Sequence, residues 1–289
     1  MPTQTVCRLL LGNELRRARE KLGRTPAEAA DVIGNKATKI SRIELGQSGL
    51  GKGDLTLLLD YYDIDPDRRE VLFELARNSR ERGRWSGYRE VFPEWFRMFV
   101  DLEQDAEQIR STNVEVMPGL LQTEAYVRAL QSELDRDEHT RDIEHGVRAR
   151  KERQRIFTKD DPPEFGFILS ESCLRRVVGG PAVMRDQLVH LQKLSRKRNI
   201  QIQVLPFDAP TYVGRVAYRF TLLQIPSPGT ASPLEFAYVE SYDDARYIDD
   251  KQAVRNYVGL WNRLQAAALG PVESRRLIGE VAEQFAQAV

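Results

Sequence analysis

Thr25-Pro26-Ala27-Glu28-Ala29-Ala30-Asp31-Val32-Ile33-Gly34-Asn35-Lys36-Ala37-Thr38-Lys39-Ile40-Ser41-Arg42-Ile43-Glu44-Leu45-Gly46 carries the strongest local structural signals of this 289-residue chain. Thr25 can cap a helix, Pro26 suits its first turn, and Glu28 stands three residues after the cap, as in a capping box. That predicts a short helix from Pro26 to about Ile33. Its small pair Ala29-Ala30 lets another helix cross closely. Gly34 supplies the backbone freedom of a tight turn. A second short helix follows over 36–45, with Ile40 and Ile43 facing inward and Gly46 as its stop. Two short helices joined at a glycine make a helix-turn-helix. Left pointing away from Ile40 and Ile43 are Lys36, Ala37, Thr38, Lys39, Ser41 and Arg42. These are small, hydroxylic or basic residues, the types that approach base edges and phosphates.

Working outward, Leu11, Leu15, Ala18 and Leu22 fall at i, i+4, i+7 and i+11, the apolar stripe of a preceding helix that Gly23 ends. Downstream, Leu55, Leu58, Leu59 and Tyr62 mark a fourth helix. Asp65-Pro66 opens a fifth, in which Leu72 and Leu75 face the core. The expectation is an all-α N-terminal domain of five helices over 1–76. The chain carries 43 basic and 43 acidic residues, so net charge argues against indiscriminate nucleic-acid binding. Distribution matters more: Arg8 to Arg42 holds nine basic residues against four acidic ones. Periodicity alone fits a plain helical bundle with a solvated basic face equally well.

The run Leu15-Arg16-x-x-Arg19, Gly23-x-Thr25, Ala30, Gly34 and Ile40-Ser41-Arg42-Ile43-Glu44-x-Gly46 resembles the five-helix domain of Cro/repressor-type (XRE) regulators. The resemblance implies a transcription factor in which helix 36–45 enters the major groove of double-stranded DNA. It implies that Ala37, Thr38 and Arg42 read bases, and that Thr25 and Pro26 sit by a phosphate, where helix-start amides favour an anion. Lys36 and Lys39 are further phosphate candidates. The resemblance also pairs Arg19 with Glu44, a structural ion pair. One departure stands out: a hydroxyl usually caps the recognition helix, yet Lys36 occupies that place. Either Asn35 caps one residue early, or the first turn is altered and Lys36 reaches phosphate.

Beyond the helices lies a Gly- and Arg-rich stretch, and the interdomain linker is expected over 77–92. The remainder, 93–289, mixes helices with strands. Trp95 to Ile109 reads as helical, Asn113 to Met117 as extended, and a helix follows Pro118-Gly119 as far as Leu134. A charged helix is expected from about Asp137 to Phe157. Four β-like runs come next: 164–170, 200–205, 216–224 and 234–239. The first two bracket helical 183–198, long enough for a parallel crossover. Two helices, about 250–269 and 272–288, close the chain. The fold class is thus an all-α helix-turn-helix domain joined to a larger α+β domain.

Several strings in this larger part carry a second resemblance. They are Met117-Pro118-Gly119-Leu120-Leu121-Gln122-Thr123-Glu124-Ala125-Tyr126, Leu174-Arg175-Arg176, Gly179-Gly180-Pro181 and Gln187-Leu188 with Leu191. Val204-Leu205-Pro206-Phe207, Tyr238-Val239-Glu240 and Ala268-Leu269-x-Pro271-x-Glu273-Ser274 belong to the same set. Together they resemble the C-terminal domain of unknown function that follows a Cro-type helix-turn-helix in many actinobacterial regulators, WhiJ-like developmental ones among them. This implies a transcription factor, often encoded beside a small partner protein and sometimes described as antitoxin-like, and it implies no known ligand. The larger domain is expected to serve dimerisation, sensing or partner binding, and the expected partners are a second copy of the chain, a small protein encoded nearby and an unidentified small-molecule effector. One helix-turn-helix covers only a half-site, so a homodimer on a pseudo-palindrome is expected. The alternative is an antitoxin-like interaction module that contacts DNA only for autoregulation.

Nothing in the sequence points to catalysis. His139, His145 and His190 lack metal-ligand spacing, and no GxSxG, Walker loop or GxGxxG occurs. Gly179-Gly180-Pro181 is read as a turn into a helix, and Asp243-Asp244 and Asp249-Asp250 as solvated loop or helix-start acids. The basic run Arg148, Arg150, Lys151, Arg153 and Arg155 is read as a solvated face. The strand aromatics, Phe165, Phe167, Tyr212, Tyr218, Phe220, Phe236 and Tyr238, fit core packing more simply than an effector pocket. No apolar run approaches the ~18 residues that span a bilayer. Two distant cysteines, Cys7 and Cys173, fit reduced thiols in a cytosol. The expectation is a cytoplasmic, nucleoid-associated, non-enzymatic protein without cofactor or metal.

Overall fold

The computed structural model describes residues 3–80, 92–134, 140–209, 219–227 and 233–288. Most of the expected linker, and His139, Tyr212 and Tyr218, lie outside the described residues. The chain divides into two compact units. The first gathers Met1–Arg89 with Arg97–Asp105 and Ile225–Leu234, and the second gathers Glu90–Phe96, Ala106–Gln224 and Glu235–Val289.

In the first unit, α1 (Gln4–Lys21), α2 (Pro26–Val32), α3 (Ala37–Glu44), α4 (Lys52–Tyr61) and α5 (Pro66–Asn78) follow in order. The opening helix begins a full turn and more before the apolar stripe that announced it. Thr3 caps it, and Val6, Cys7, Leu9 and Leu10 are buried beside Leu11 and Leu15. Its N-terminus is tied to α6 (Glu94–Asp105): Thr3 N donates to the Asp105 carboxylate, and Thr5 Oγ1 donates to Asp101 Oδ2 at 2.6 Å. Leu22 departs from expectation. It is the C-cap, 45 % exposed, because the helix has ended before its side chain can turn inward.

The centre of the unit is the crossing of α1 and α3. Gly12 makes it possible, since a Cβ there would collide with the carbonyl of Ile43 and lie 2.7 Å from that of Glu44. Gly34 and Gly46 hold φ of 60° and 68°, the left-handed region in which the turns after α2 and α3 need glycine. Leu55, Leu58, Leu59, Tyr62, Leu72 and Leu75 are buried, as the spacing required.

The second unit is built on a six-stranded mixed sheet of order β3-β2-β1-β4-β5-β6. The strands are β1 (Gln108–Asn113), β2 (Glu164–Ser170), β3 (Ile200–Leu205), β4 (Phe220–Ile225), β5 (Leu234–Glu240) and β6 (Ala245–Ile248). β2 runs parallel to both β1 and β3, whereas β4 runs antiparallel to β1 and β6 antiparallel to β5. The crossover from β2 to β3 passes through α9 (Glu171–Arg175) and α10 (Pro181–Leu194), entered by the Gly179-Gly180-Pro181 turn. The crossover from β1 to β2 carries a 3-10 turn at Gly119–Leu121, then α7 (Glu124–Leu134) and α8 (Thr140–Gln154). The C-terminal pair is α11 (Lys251–Ala267) and α12 (Pro271–Gln287).

Two strands correct the sequence reading. Ile109 belongs to β1, not to a helix, and α6 stops at Asp105; residues 114–116 form bends, not a strand. β6 is a strand that no sequence pattern announces. Trp261 and Leu264 of α11 pack over Ile168, Leu205, Phe220 and Leu222 on one face of the sheet. Gly166 leaves room for the Trp261 ring, which a Cβ would meet at 3.0 Å. Phe165 packs on Phe157, ring centres 4.8 Å apart. The Met117–Tyr126 string is a stapled loop. The wholly buried Gln187 accepts from Thr123 N and donates to Leu121 O, both at 2.7 Å, while Gln122 Nε2 donates to Met117 O at 2.7 Å. The outer side of β3 is held by the turn between α11 and α12. Val204 N donates to Ser274 Oγ, and Leu269 N to Val204 O, each at 2.9 Å.

Candidate nucleic-acid interface

The exposed face of α3 is shaped by what its neighbours consume. Ile40 and Ile43 are buried, as the spacing predicted, and Glu44 is buried with them. Arg19 grips Glu44 with two hydrogen bonds, Nε to Oε1 at 2.6 Å and Nη2 to Oε2 at 2.9 Å. Its third arm, Nη1, donates to Arg24 O at 2.7 Å. Both members are about nine-tenths buried, and the Glu44 carboxylate beside it raises the Arg19 pKa further. This fork fixes the end of α3 on α1 and leaves neither residue available to a ligand.

At the other end of α3, Lys36 is the N-cap, and it offers no side-chain cap hydrogen bond. Asn35 does not cap one residue early. Its backbone N–H instead donates to Ala30 O at 2.9 Å, closing α2, and its side chain is exposed. No side chain therefore caps the first amides of α3.

An open concavity of about 420 Å³ follows, lined by Gly34, Asn35, Lys36, Thr38, Lys39 and Arg42. Four residues singled out in the sequence therefore meet there: Lys36, Thr38, Lys39 and Arg42. Ala37, Thr25 and Pro26 do not line it. Gly34 and Asn35 do, although the sequence reading gave them only a turn and a cap. The available signal was position, in the turn between the two helices of the motif. Three cations and no acid surround the hollow, a lining suited to an anionic surface.

The lining side chains are not equivalent. Lys39 Nζ donates to Ser48 Oγ at 3.0 Å, so this ammonium is drawn toward the loop after α3. Ser41 Oγ donates back to Ala37 O at 3.2 Å, which occupies its proton. Lys36, Thr38 and Arg42 are exposed, and among the described residues no partner holds their side chains. Thr38 and Arg42 stand one turn apart on one helical face.

The start of α2 is differently disposed. Thr25 Oγ1 accepts from Glu28 N at 3.2 Å, and Thr25 N donates to Glu28 Oε2 at 2.7 Å, a complete capping box. The Thr25 amide and hydroxyl hold the Glu28 carboxyl below the usual carboxylate range. Thr25 thus already serves an internal anion, and Ala27 beside it is exposed.

The other sequence candidates fall into place outside this site. Lys151 pairs with Glu124 and Arg155 with Glu152, while Arg153 is buried over the Phe96 ring. Asp250 caps α11. Among the described residues no group of three or more His, Cys, Asp or Glu is placed to hold a metal ion, and no helix is long and apolar enough to cross a membrane.

Two family models match the sequence. One describes a helix-turn-helix domain and covers residues 10–72; the other describes a domain of unknown function, DUF5753, and covers residues 96–280. No curated protein and no solved structure matches the chain.

Proposed function

Because the chain belongs to the DUF5753 family and carries a helix-turn-helix domain ahead of that region, we propose that it is a sequence-specific, XRE-type transcriptional regulator. The observation that carries this reading is the outward face of α3. Thr38 and Arg42 are exposed, unengaged and one turn apart, beside a cation-lined hollow. A recognition helix needs such donors free to meet base edges, since every donor spent inside the protein is lost to readout. Arg42 offers a two-pronged guanidinium to a purine edge, Thr38 a methyl and a hydroxyl, and Ala37 a small surface that allows close approach. Lys36 and the uncapped amides at the start of α3 serve a phosphate. Lys39, Thr25 and Pro26 contribute at the margin of the same footprint.

The protein works as a homodimer on a two-fold operator, because one such helix reads only a few base pairs. It is non-enzymatic and acts in the cytoplasm on the nucleoid. The DUF5753 region supplies dimerisation, effector sensing or the docking of a small partner protein. An antitoxin-like module that touches DNA only for autoregulation is the rival reading.

The test is binding of the purified chain to its own promoter and to a scrambled duplex across a salt series. Selective binding that weakens steeply with salt is expected. Arg42→Ala should cost about 1–3 kcal/mol on the promoter and far less on scrambled DNA. Equal loss on both duplexes removes Arg42 from the base-reading set. Absence of selectivity in the parent protein favours the interaction-module reading.

A further inference from the structure

In the second unit several cations are answered by an acid: Arg128 by Glu124 and Glu144, Arg176 by Glu115, Arg276 by Glu280. One stretch concentrates cations without acids. From the end of α10 to the approach of β3 the chain reads Lys193-Leu194-Ser195-Arg196-Lys197-Arg198, four cations and no acid in six residues. All four are exposed, and among the described residues none of them forms an ion pair. Lys197 folds back, its Nζ donating to Phe157 O at 3.4 Å and lying over that ring. Lys193, Arg196 and Arg198 are left to solvent.

The turn is held in place from beneath. Arg275 donates from Nε to Ser195 Oγ at 2.9 Å and from Nη2 to Ser195 O at 2.8 Å, covering the negative end of α10 with a further cation. Asn199 Nδ2 donates to Pro163 O at 2.8 Å and fixes the exit into β3. The positive field reaches His190, one turn back on α10. Burial first, then Lys193 and Lys197, push its pKa down.

We propose that the Lys193–Arg198 turn is a second phosphate-binding surface, which grips the backbone of duplex DNA without reading its sequence. The proposal rests on the reading of the chain as a DNA-binding regulator. Its chemistry selects a polyanion over a protein or a membrane. Leu194 and Ser195 are buried, so the turn exposes cationic groups and no apolar anchor. Protein interfaces are depleted of lysine and organised around apolar or aromatic anchors, and stable membrane anchoring takes an apolar face or a lipid chain in addition to a basic patch. Phosphate binding needs only charge and reach.

The experiment uses the full-length chain on its own promoter and on a scrambled duplex, between about 50 and 200 mM salt. The triple variant Lys193→Gln, Arg196→Gln, Arg198→Gln is compared with the charge-keeping variant Arg196→Lys, Arg198→Lys. Each phosphate that the turn no longer neutralises should lower the slope of log affinity against log salt by ~0.9 on both duplexes. Three such phosphates together account for roughly 40-fold of the salt-dependent change over that range. The promoter-to-scrambled ratio should stay constant, and the charge-keeping variant should retain the parent slope. A triple variant with the parent's slope and affinity on both duplexes overturns the proposal. That result is separable from failure of the functional reading, which shows as absence of promoter selectivity in the parent while the scrambled duplex still reports on the turn.

Discussion

Single residues decide what this interface can do, mostly by being spent or unspent. The residue types on the outer face of α3 were legible in the sequence, because 3.6-residue spacing leaves only certain positions outward once Ile40 and Ile43 face in. Their engagement was not legible. The draw of Ser48 on Lys39, and of Ala37 O on Ser41, depends on loop geometry that no spacing rule encodes. The Arg19–Glu44 fork is the reverse case, two charges wholly given over to structure. Removing Glu44 alone leaves a guanidinium buried without its counter-ion, so Glu44→Ala should cost about 3 kcal/mol. The double change Arg19→Met, Glu44→Leu should recover most of that loss, because a buried ion pair is often no better than well-packed apolar groups. Urea unfolding of the four corners of this cycle measures it. A double variant as unstable as the single one would show that the fork supplies net stability of its own.

At the scale of elements, the legible parts are those whose burial pattern is simple. The capping box of α2 and the apolar strands β2 and β3 follow the sequence closely. β1 is hidden from a sequence reading because a central strand reading Gln-Ile-Arg-Ser-Thr-Asn has almost no apolar face. Its buried hydroxyls and amide are satisfied laterally instead: Thr221 Oγ1 donates to Ser111 Oγ at 3.2 Å, and Asn113 Nδ2 to the same oxygen at 3.0 Å. The early start of α1 is hidden because Val6, Cys7 and Leu9 find their burial against partners distant in sequence. Gly12 shows how two elements set each other's terms. An alanine there gains up to ~1 kcal/mol of helix propensity, yet overpacking typically costs about 1–3 kcal/mol, and here it meets backbone carbonyls that cannot rotate away. Gly12→Ala should therefore lower the thermal midpoint and weaken promoter binding together, since α3 has to shift. A midpoint that rises would mean that the end of α3 is free to yield.

The whole molecule is two compact units, and each carries one buried thiol, Cys7 in the first and Cys173 in the second. Burial pushes the Cys173 pKa up to about 12, so at neutral pH it is a protonated, sealed thiol. Neither cysteine should react with a thiol reagent in the native protein. Along a denaturant gradient Cys7 and Cys173 should become reactive at separate midpoints, each reporting the opening of its own unit. Coincident midpoints would show that the two units open as one cooperative body. The sheet of the second unit has a further consequence. At Val204 its β3 edge is bonded to Leu269 and Ser274, which obstructs a foreign strand there, and the opposite edge is β6, four residues long. A strand added at β6 meets no matching free edge at Val204 on the other side, so joining chains edge to edge through these two margins in an open series is disfavoured.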